Sequence, residues 1–407
     1  PEKCCFSGAT LVEENRVIAM YYGTEVGEMI AVASDPLLLN WEKMTGQPVI
    51  PISSPDGSPL PYRVHDPCIW RQGESYYALS NGRDPWRALD YLFRSDDLEH
   101  WEYLHPFVEN DRFTLDGDDG ACPYFWPIGD KHILLFFSHM SGGQYLLGDY
   151  DKIQQKLIAT AHGKFNFGAA SPAGIHAPSA TPDGNGGIIV IFNMNPAKPT
   201  EGWNQIMSLP RRLSLIDSNE LKIQPAGDIE SVRGQRTEIK SCKISANQEM
   251  VLDGIEGSAI EIQAEIETNE SPMVELNVLR SPDRQEYTRI AFYRNRGLRY
   301  PGPRDGVLPR ECADSLITID SSYSSMWPDV LLRAPETAPV YLAPDERLSL
   351  RIFIDKSVVE VFINDKQCVA MRVYPGRKDS TGVSIRSQGR DIELVSLEMW
   401  QMKSIYD

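Results

Sequence analysis

Tyr91-Leu92-Phe93-Arg94-Ser95-Asp96, followed shortly by Trp101, restates Ile30-Ala31-Val32-Ala33-Ser34-Asp35 and its Trp41. Each is preceded by another apolar run, Ser75-Tyr76-Tyr77-Ala78-Leu79-Ser80 in one case and Val17-Ile18-Ala19-Met20-Tyr21-Tyr22 in the other. Strand, turn, strand, Ser-Asp and Trp in one order is an internal repeat, and repeated short strands indicate antiparallel blades packed face to face. Two weaker pairs follow, His132 to Phe137 with Gln144 to Gly148, and Gly187 to Asn193 with Trp203 to Met207. Gly, Pro, Asp and Asn separate the runs, as turns between strands require.

The repeat predicts about four blades between Cys5 and Leu215, within a β-propeller over residues 1–230. Polar connecting sequence from Asp228 to Ser245 follows. Beyond it, Leu350-Arg351-Ile352-Phe353-Ile354-Asp355 and Val358 to Asp365 alternate with the two-residue period of half-buried strands. That pattern predicts a hairpin of a β-sandwich over residues 245–407. Long amphipathic helical patterns are missing throughout, so the expected class is all-β.

A chain of 407 residues has room for two or three domains. Its net charge of −17, with no basic run, repels phosphate backbones and anionic lipid, which argues against nucleic-acid and membrane partners. The longest apolar runs have strand length, well under the roughly 18 residues of a membrane-crossing helix. Seven cysteines show no C-x-x-C pair, and adjacent Cys4 and Cys5 are expected as thiols because a bridge between neighbours is strained. His65, His132, His139 and His176 lack metal-ligand spacing, so they are expected as structural histidines, with no metal and no cofactor.

Five ordered motifs carry a resemblance. Phe6-Ser7-Gly8-Ala9, Val64 to Trp70 with His65-Asp66-Pro67, Ala121-Cys122-Pro123 to Gly129, Ser208 to Leu213, and Leu350 to Pro375 stand in the order seen in glycoside hydrolase family 32. The chain resembles that family over nearly its whole length. The resemblance implies a five-bladed propeller with a C-terminal β-sandwich, and retaining hydrolysis of β-fructosidic bonds in sucrose or fructan oligosaccharides. Two carboxylates about 5 Å apart then flank the bond, one attacking and one protonating the leaving oxygen.

Residue by residue, the resemblance makes Asp66 the carboxylate that grips fructose hydroxyls and supports the transition state, with an expected place open to a sugar-sized pocket. His65 stands where the family has arginine. Phe6, Ser7 and His65 are expected to line the fructose pocket, although Phe6 is equally compatible with core packing. Arg83-Asp84-Pro85 matches the family triplet literally but reads as a connecting loop, and Trp70, Trp86 and Trp126 read as blade packing before sugar stacking.

Two departures qualify the activity. No W-x-N-D-P-N-G-like segment, which carries the family's nucleophile, precedes Phe6, so about one blade is expected to be missing from this sequence. Ala121 occupies the position of the family's acid/base glutamate, and an alanine transfers no proton. Asp116-Gly117-Asp118-Asp119-Gly120 reads first as a solvated turn, and second as a source of a substitute acid, Asp119. Two other functions stay open: a catalytically silent fructan-binding protein, and an arabinan-acting propeller hydrolase.

Overall fold

A computed structural model describes residues 1–82, 89–298 and 313–406. Its regular structure is almost entirely strand, as the alternating pattern predicts. Cys5–Val12 (β1), Val17–Gly23 (β2), Gly27–Ala33 (β3), Glu42–Lys43 (β4) and Ile50–Pro51 (β5) form the first sheet, in the order β1-β2-β3-β4 with β5 also on β3. The second runs in sequence through Pro67–Gln72 (β6), Ser75–Asn81 (β7), Asp90–Ser95 (β8) and Glu102–Pro106 (β9). In the third, Ala121–Ile128 (β11), Lys131–Ser138 (β12), Gly142–Asp151 (β13) and Lys156–Lys164 (β14) form a meander, and Val108–Glu109 (β10) joins β14 in parallel. A fourth sheet holds Ile175–Pro182 (β15), Ile188–Met194 (β16), Ile206–Met207 (β17), Arg211–Asp217 (β18) and Glu220–Pro225 (β19).

The repeated Trp has one physical cause. After β3, Asp35 accepts the backbone N–H groups of Leu37 and Leu39, Leu38 takes a positive φ of 54°, and Trp41 Nε1 donates to the Leu38 carbonyl at 2.9 Å. After β8, Asp97 accepts Glu99 and His100, Leu98 takes φ 70°, and Trp101 Nε1 donates to the Leu98 carbonyl at 2.8 Å. The indole bond to a leucine carbonyl three residues back recurs in both turns, whereas Asp96, the counterpart of Asp35, bonds Ser75 and Arg94 and leaves the Asx turn to Asp97. The expected strand from Trp203 is shorter than its apolar pattern suggests, because the Thr200 hydroxyl bonds the Trp203 carbonyl and leaves Ile206–Met207 to pair with β16.

Pleating sends alternate side chains to opposite neighbours. Ile69, Ala78 and Phe93 of the second sheet join Ile18, Met20 and Ile30 of the first, whereas Cys68, Trp70, Tyr77 and Leu79 join Phe125, Leu134 and Phe136 of the third. Trp70 is therefore blade packing, as expected. Trp86 and Arg83-Asp84-Pro85 lie outside the described residues.

The chain divides into two compact units, one of Pro1–Lys164, Ala177–Ile188 and Leu215–Glu220, the other of Phe165–His176, Ile189–Ser214 and Leu221–Asp407. The second contains a seven-stranded sheet centred on Ala259–Glu267, which pairs with Leu348–Asp355 and Ile392–Met402, and a six-stranded sheet centred on Met273–Arg280. The expected hairpin forms, with Leu350 opposite Ile363 and Asp355 opposite Val358. Ile262, Ile352 and Val361 from one sheet share a core with Leu276, Phe292 and Ile385 from the other. The fold is a β-propeller followed by a β-sandwich.

Candidate active site

A resemblance motif stands at the start of an edge strand in each of the first three sheets: Phe6-Ser7 in β1, His65-Asp66 before β6, Ala121-Cys122 in β11. These strands lie side by side, and the Tyr124 hydroxyl of β11 sits 3.3 Å from both the Gly8 carbonyl of β1 and Ser179 Oγ of β15. Motifs far apart in sequence therefore meet at one strand end.

Asp66 is their meeting point. Its Oδ2 accepts the Cys122 backbone N–H at 3.1 Å, and the Cys122 thiol stands 3.4 Å from Oδ2 and 3.5 Å from Ser7 Oγ. Asp66 and Cys122 both take left-handed φ values, 27° and 52°, and the register of β11 against β12 slips between Ala121 and Tyr124. Strained backbone at two contacting residues is a hallmark of functional sites. His65 Nδ1 lies 3.1 Å from Asp66 Oδ1 without hydrogen-bond alignment, and its ring packs on Tyr22 with centroids 4.6 Å apart. Tyr22 in turn meets the edge of Phe6. Phe6 is 55% exposed, so it is not core packing.

One expectation changes. Asp66 was expected to open onto a pocket, yet it is 3% exposed, because the Cys122 backbone and His65 close over it. Burial alone would raise its pKa, but His65 and the Cys122 N–H hold the carboxyl below its usual range. Its Oδ1 has no hydrogen-bond partner among the described residues.

The aspartate cluster also differs from a solvated turn. Asp116 is exposed, but Asp118 and Asp119 are buried. Asp118 accepts the Leu115 N–H at 2.7 Å, the Ser141 hydroxyl and the Gln144 amide, which fixes the loop. Asp119 accepts the His139 backbone N–H at 2.9 Å and faces His139 Nδ1 at 2.7 Å. Ala121 is almost fully buried, opposite Phe137.

Two acids escaped the sequence reading. Glu28 is fully buried on β3, accepts the Ser80 hydroxyl at 2.7 Å, and is pushed up to about 8 by burial with help from the Asp66 charge. Ser80 in turn accepts the His65 backbone N–H, so Glu28 stands behind the Asp66 turn. Asp90 is fully buried at the start of β8, with neither oxygen hydrogen-bonded among the described residues, and burial followed by Asp119 raises its pKa well above the ordinary value. The available signal was a Glu and an Asp inside otherwise apolar strands, Gly27 to Ala33 and Asp90 to Phe93. Asp66 is thus held below the usual carboxylate range while burial raises Glu28 and Asp90, a separation typical of sites doing acid–base work.

Comparison with known proteins agrees with the geometry. The model of the glycosyl hydrolases family 32 N-terminal domain matches residues 1–225, and that of the glycosyl hydrolases family 32 C terminal matches residues 228–401. A levanase of Bacillus subtilis is 25% identical over 98% of this chain, which spans 60% of that protein's length. A sucrose-6-phosphate hydrolase of Escherichia coli is 25% identical over 95% of this chain and 79% of its own. The crystal structure of fructan 1-exohydrolase IIa from Cichorium intybus superposes with a TM-score of 0.82 at 18% identity, covering 98% of this chain and 84% of the other.

Proposed function

Because the chain belongs to glycosyl hydrolase family 32, we propose that it hydrolyses β-fructosidic bonds of sucrose or fructans, with retention at the fructosyl carbon. The observation that carries this reading is the convergence of Phe6-Ser7, His65-Asp66 and Ala121-Cys122 on one charged, buried carboxylate. As the glycosidic bond breaks, positive charge develops on the fructosyl ring, and a preorganised anion beside it lowers the barrier. Asp66 supplies that anion, kept charged by His65 and the Cys122 N–H. Exposed Phe6 and Ser7 line the approach, with His65 closing the side against Tyr22. No described residue is assigned the attacking carboxylate's role.

A second reading draws on Ala121, whose methyl group replaces an acid: a fructan-binding protein without turnover. Incubation with sucrose, inulin, levan and arabinan, reading released sugar and binding of each, separates the readings. Release of fructose from at least one fructoside supports the hydrolase. Fructan binding with no release supports the silent binder, and release from arabinan alone overturns both.

A further inference from the structure

Ser80 Oγ is a crossing point behind the Asp66 turn. It lies 2.7 Å from Glu28 Oε1 on β3 and 3.0 Å from the His65 carbonyl, and it accepts the His65 backbone N–H at 3.1 Å. The same carbonyl accepts the Asn81 N–H at 3.0 Å. That carbonyl belongs to the peptide joining His65 to Asp66, whose left-handed φ of 27° begins there. One hydroxyl proton therefore faces two acceptors, Glu28 Oε1 and the His65 carbonyl.

The protonation of Glu28 decides where that proton goes. Glu28 is fully buried, and its Oε2 has no hydrogen-bond partner among the described residues. Ionised, it would have a single hydroxyl to hold its charge, too little to offset desolvation, so the neutral acid is the stable form. With its own proton on Oε1, Glu28 donates to Ser80 Oγ, and Ser80 donates to the His65 carbonyl. The hydroxyl then accepts two bonds and donates one, its full capacity. An ionised Glu28 only accepts, so the Ser80 proton turns to it and the His65 carbonyl keeps the Asn81 N–H alone. Among the described residues, the titratable groups facing Glu28 are Tyr22, its cross-strand partner on β2, Tyr91, the partner of Ser80 on β8, and His65 and Asp66 in the turn.

We propose that Glu28 is a positioning residue for fructoside hydrolysis: its carboxyl proton, handed on by the Ser80 hydroxyl, sets the His65-Asp66 peptide, and ionisation of Glu28 releases that peptide; this rests on the β-fructosidase reading above. Being fully buried, Glu28 acts through Ser80 and not by touching substrate. The protonated form is the active one, so the effect is an alkaline loss. Burial and then the Asp66 charge push Glu28 up to about 8, with Ser80 opposing them, so the positioning is complete below neutrality and is lost as pH climbs through 8.

The test reads the full chain twice, by sucrose kinetics and by amide hydrogen exchange. In the unmodified chain, kcat/KM normalised to its value at pH 6 should fall about tenfold by pH 9, where roughly nine-tenths of a group with a pKa near 8 is ionised. In Glu28→Gln, whose amide donates to Ser80 at every pH, that limb should vanish. Exchange of residues 64–68, corrected for base catalysis and referenced to Leu134 to Phe136 against global unfolding, should rise over the same range in the unmodified chain and stay level in Glu28→Gln. In a Ser80→Ala background, Glu28→Gln should alter neither normalised profile. Coincident profiles for the unmodified chain and Glu28→Gln in either readout, or an undiminished effect of Glu28→Gln when Ser80 is alanine, overturns the assignment. If the unmodified chain cleaves no fructoside at any pH, the β-fructosidase reading falls and takes the catalytic role with it, while the exchange profiles alone decide whether the Glu28 proton sets the turn.

Discussion

Cys122 donates its backbone N–H to Oδ2 of Asp66 across 3.1 Å, joining segments 56 residues apart in sequence, and both residues hold left-handed backbone to do so. The strained pair fixes Oδ2, while His65 Nδ1 stands 3.1 Å from Oδ1. Asp66→Asn keeps the shape and removes the charge, so folding should survive while transition-state support is lost. Turnover of sucrose should fall about 100-fold or more, on the order of 3 kcal/mol, as for one preorganised contact. Steady-state kinetics on Asp66→Asn and Asp84→Asn decide the point. A larger loss in Asp84→Asn transfers the role to the literal Arg83-Asp84-Pro85 triplet.

Glu28 gives stability a distinctive pH dependence. Its pKa rises from 4.5 in the unfolded chain to about 8 in the fold, so between those values the folded state binds the proton that the unfolded state has released. Its contribution is complete below about pH 4.5 and is lost as pH climbs towards 8, at up to about 1.4 kcal/mol per pH unit. Glu28→Gln keeps an oxygen for the Ser80 hydroxyl and deletes the titration. Denaturant unfolding across pH 5 to 8 should show a flatter profile for the variant, which becomes the more stable protein near pH 8. Parallel profiles for the two proteins count against a buried neutral Glu28.

The cysteines should divide by burial. Cys4 and Cys5 are exposed thiols, whereas burial pushes Cys68, Cys122 and Cys368 up to about 12. The thiolate is the reactive form. Brief iodoacetamide treatment near pH 8, read by peptide mass spectrometry, should alkylate Cys4 and Cys5 and spare the other three until denaturant is added. Early labelling of Cys122 means that the Asp66 turn opens in solution.

The sequence carried the propeller because its signals are local: an apolar run, an Asx turn and an indole closing on a carbonyl three residues back need no distant partner. The sandwich hairpin was legible for the same reason, since Val358 to Ile363 alternates by itself. Asp66 was found because Asp-Pro before an apolar strand is also local. Glu28 was missed because its buried setting comes from Ser80 and Asp66 on another sheet, and nothing within Gly27 to Ala33 reports them. The pairing of Asp119 with His139 depends on the register of β11 against β12, which slips at Cys122. A slip of that kind leaves no mark on the hydrophobic pattern, so Asp119 read as part of a solvated turn and His139 as an ordinary structural histidine.

Two motifs that supported the resemblance meet inside the second unit, where they define the last prediction. Arg211 of Ser208 to Leu213 donates from Nη2 to Glu360 Oε2 at 3.0 Å, and the Leu209 N–H donates to Oε1 at 2.6 Å. Both charged side chains are almost wholly removed from water. The guanidinium lies between the Phe192 and Phe362 rings, 5.2 and 5.9 Å from their centroids, and Nε and Nη1 have no hydrogen-bond partner among the described residues. Desolvating two charges offsets most of their attraction, so the intact pair adds little net stability, whereas breaking it strands a buried cation. Glu360→Leu should therefore cost about 3–5 kcal/mol. Pairing it with Arg211→Met should recover most of that loss, leaving about 1–3 kcal/mol for the orphaned Leu209 N–H. Urea unfolding of the two single variants and the double variant measures the coupling. A double variant as unstable as the sum of the singles shows that the two charges act independently, and that the phenylalanine rings, not Glu360, hold Arg211 in place.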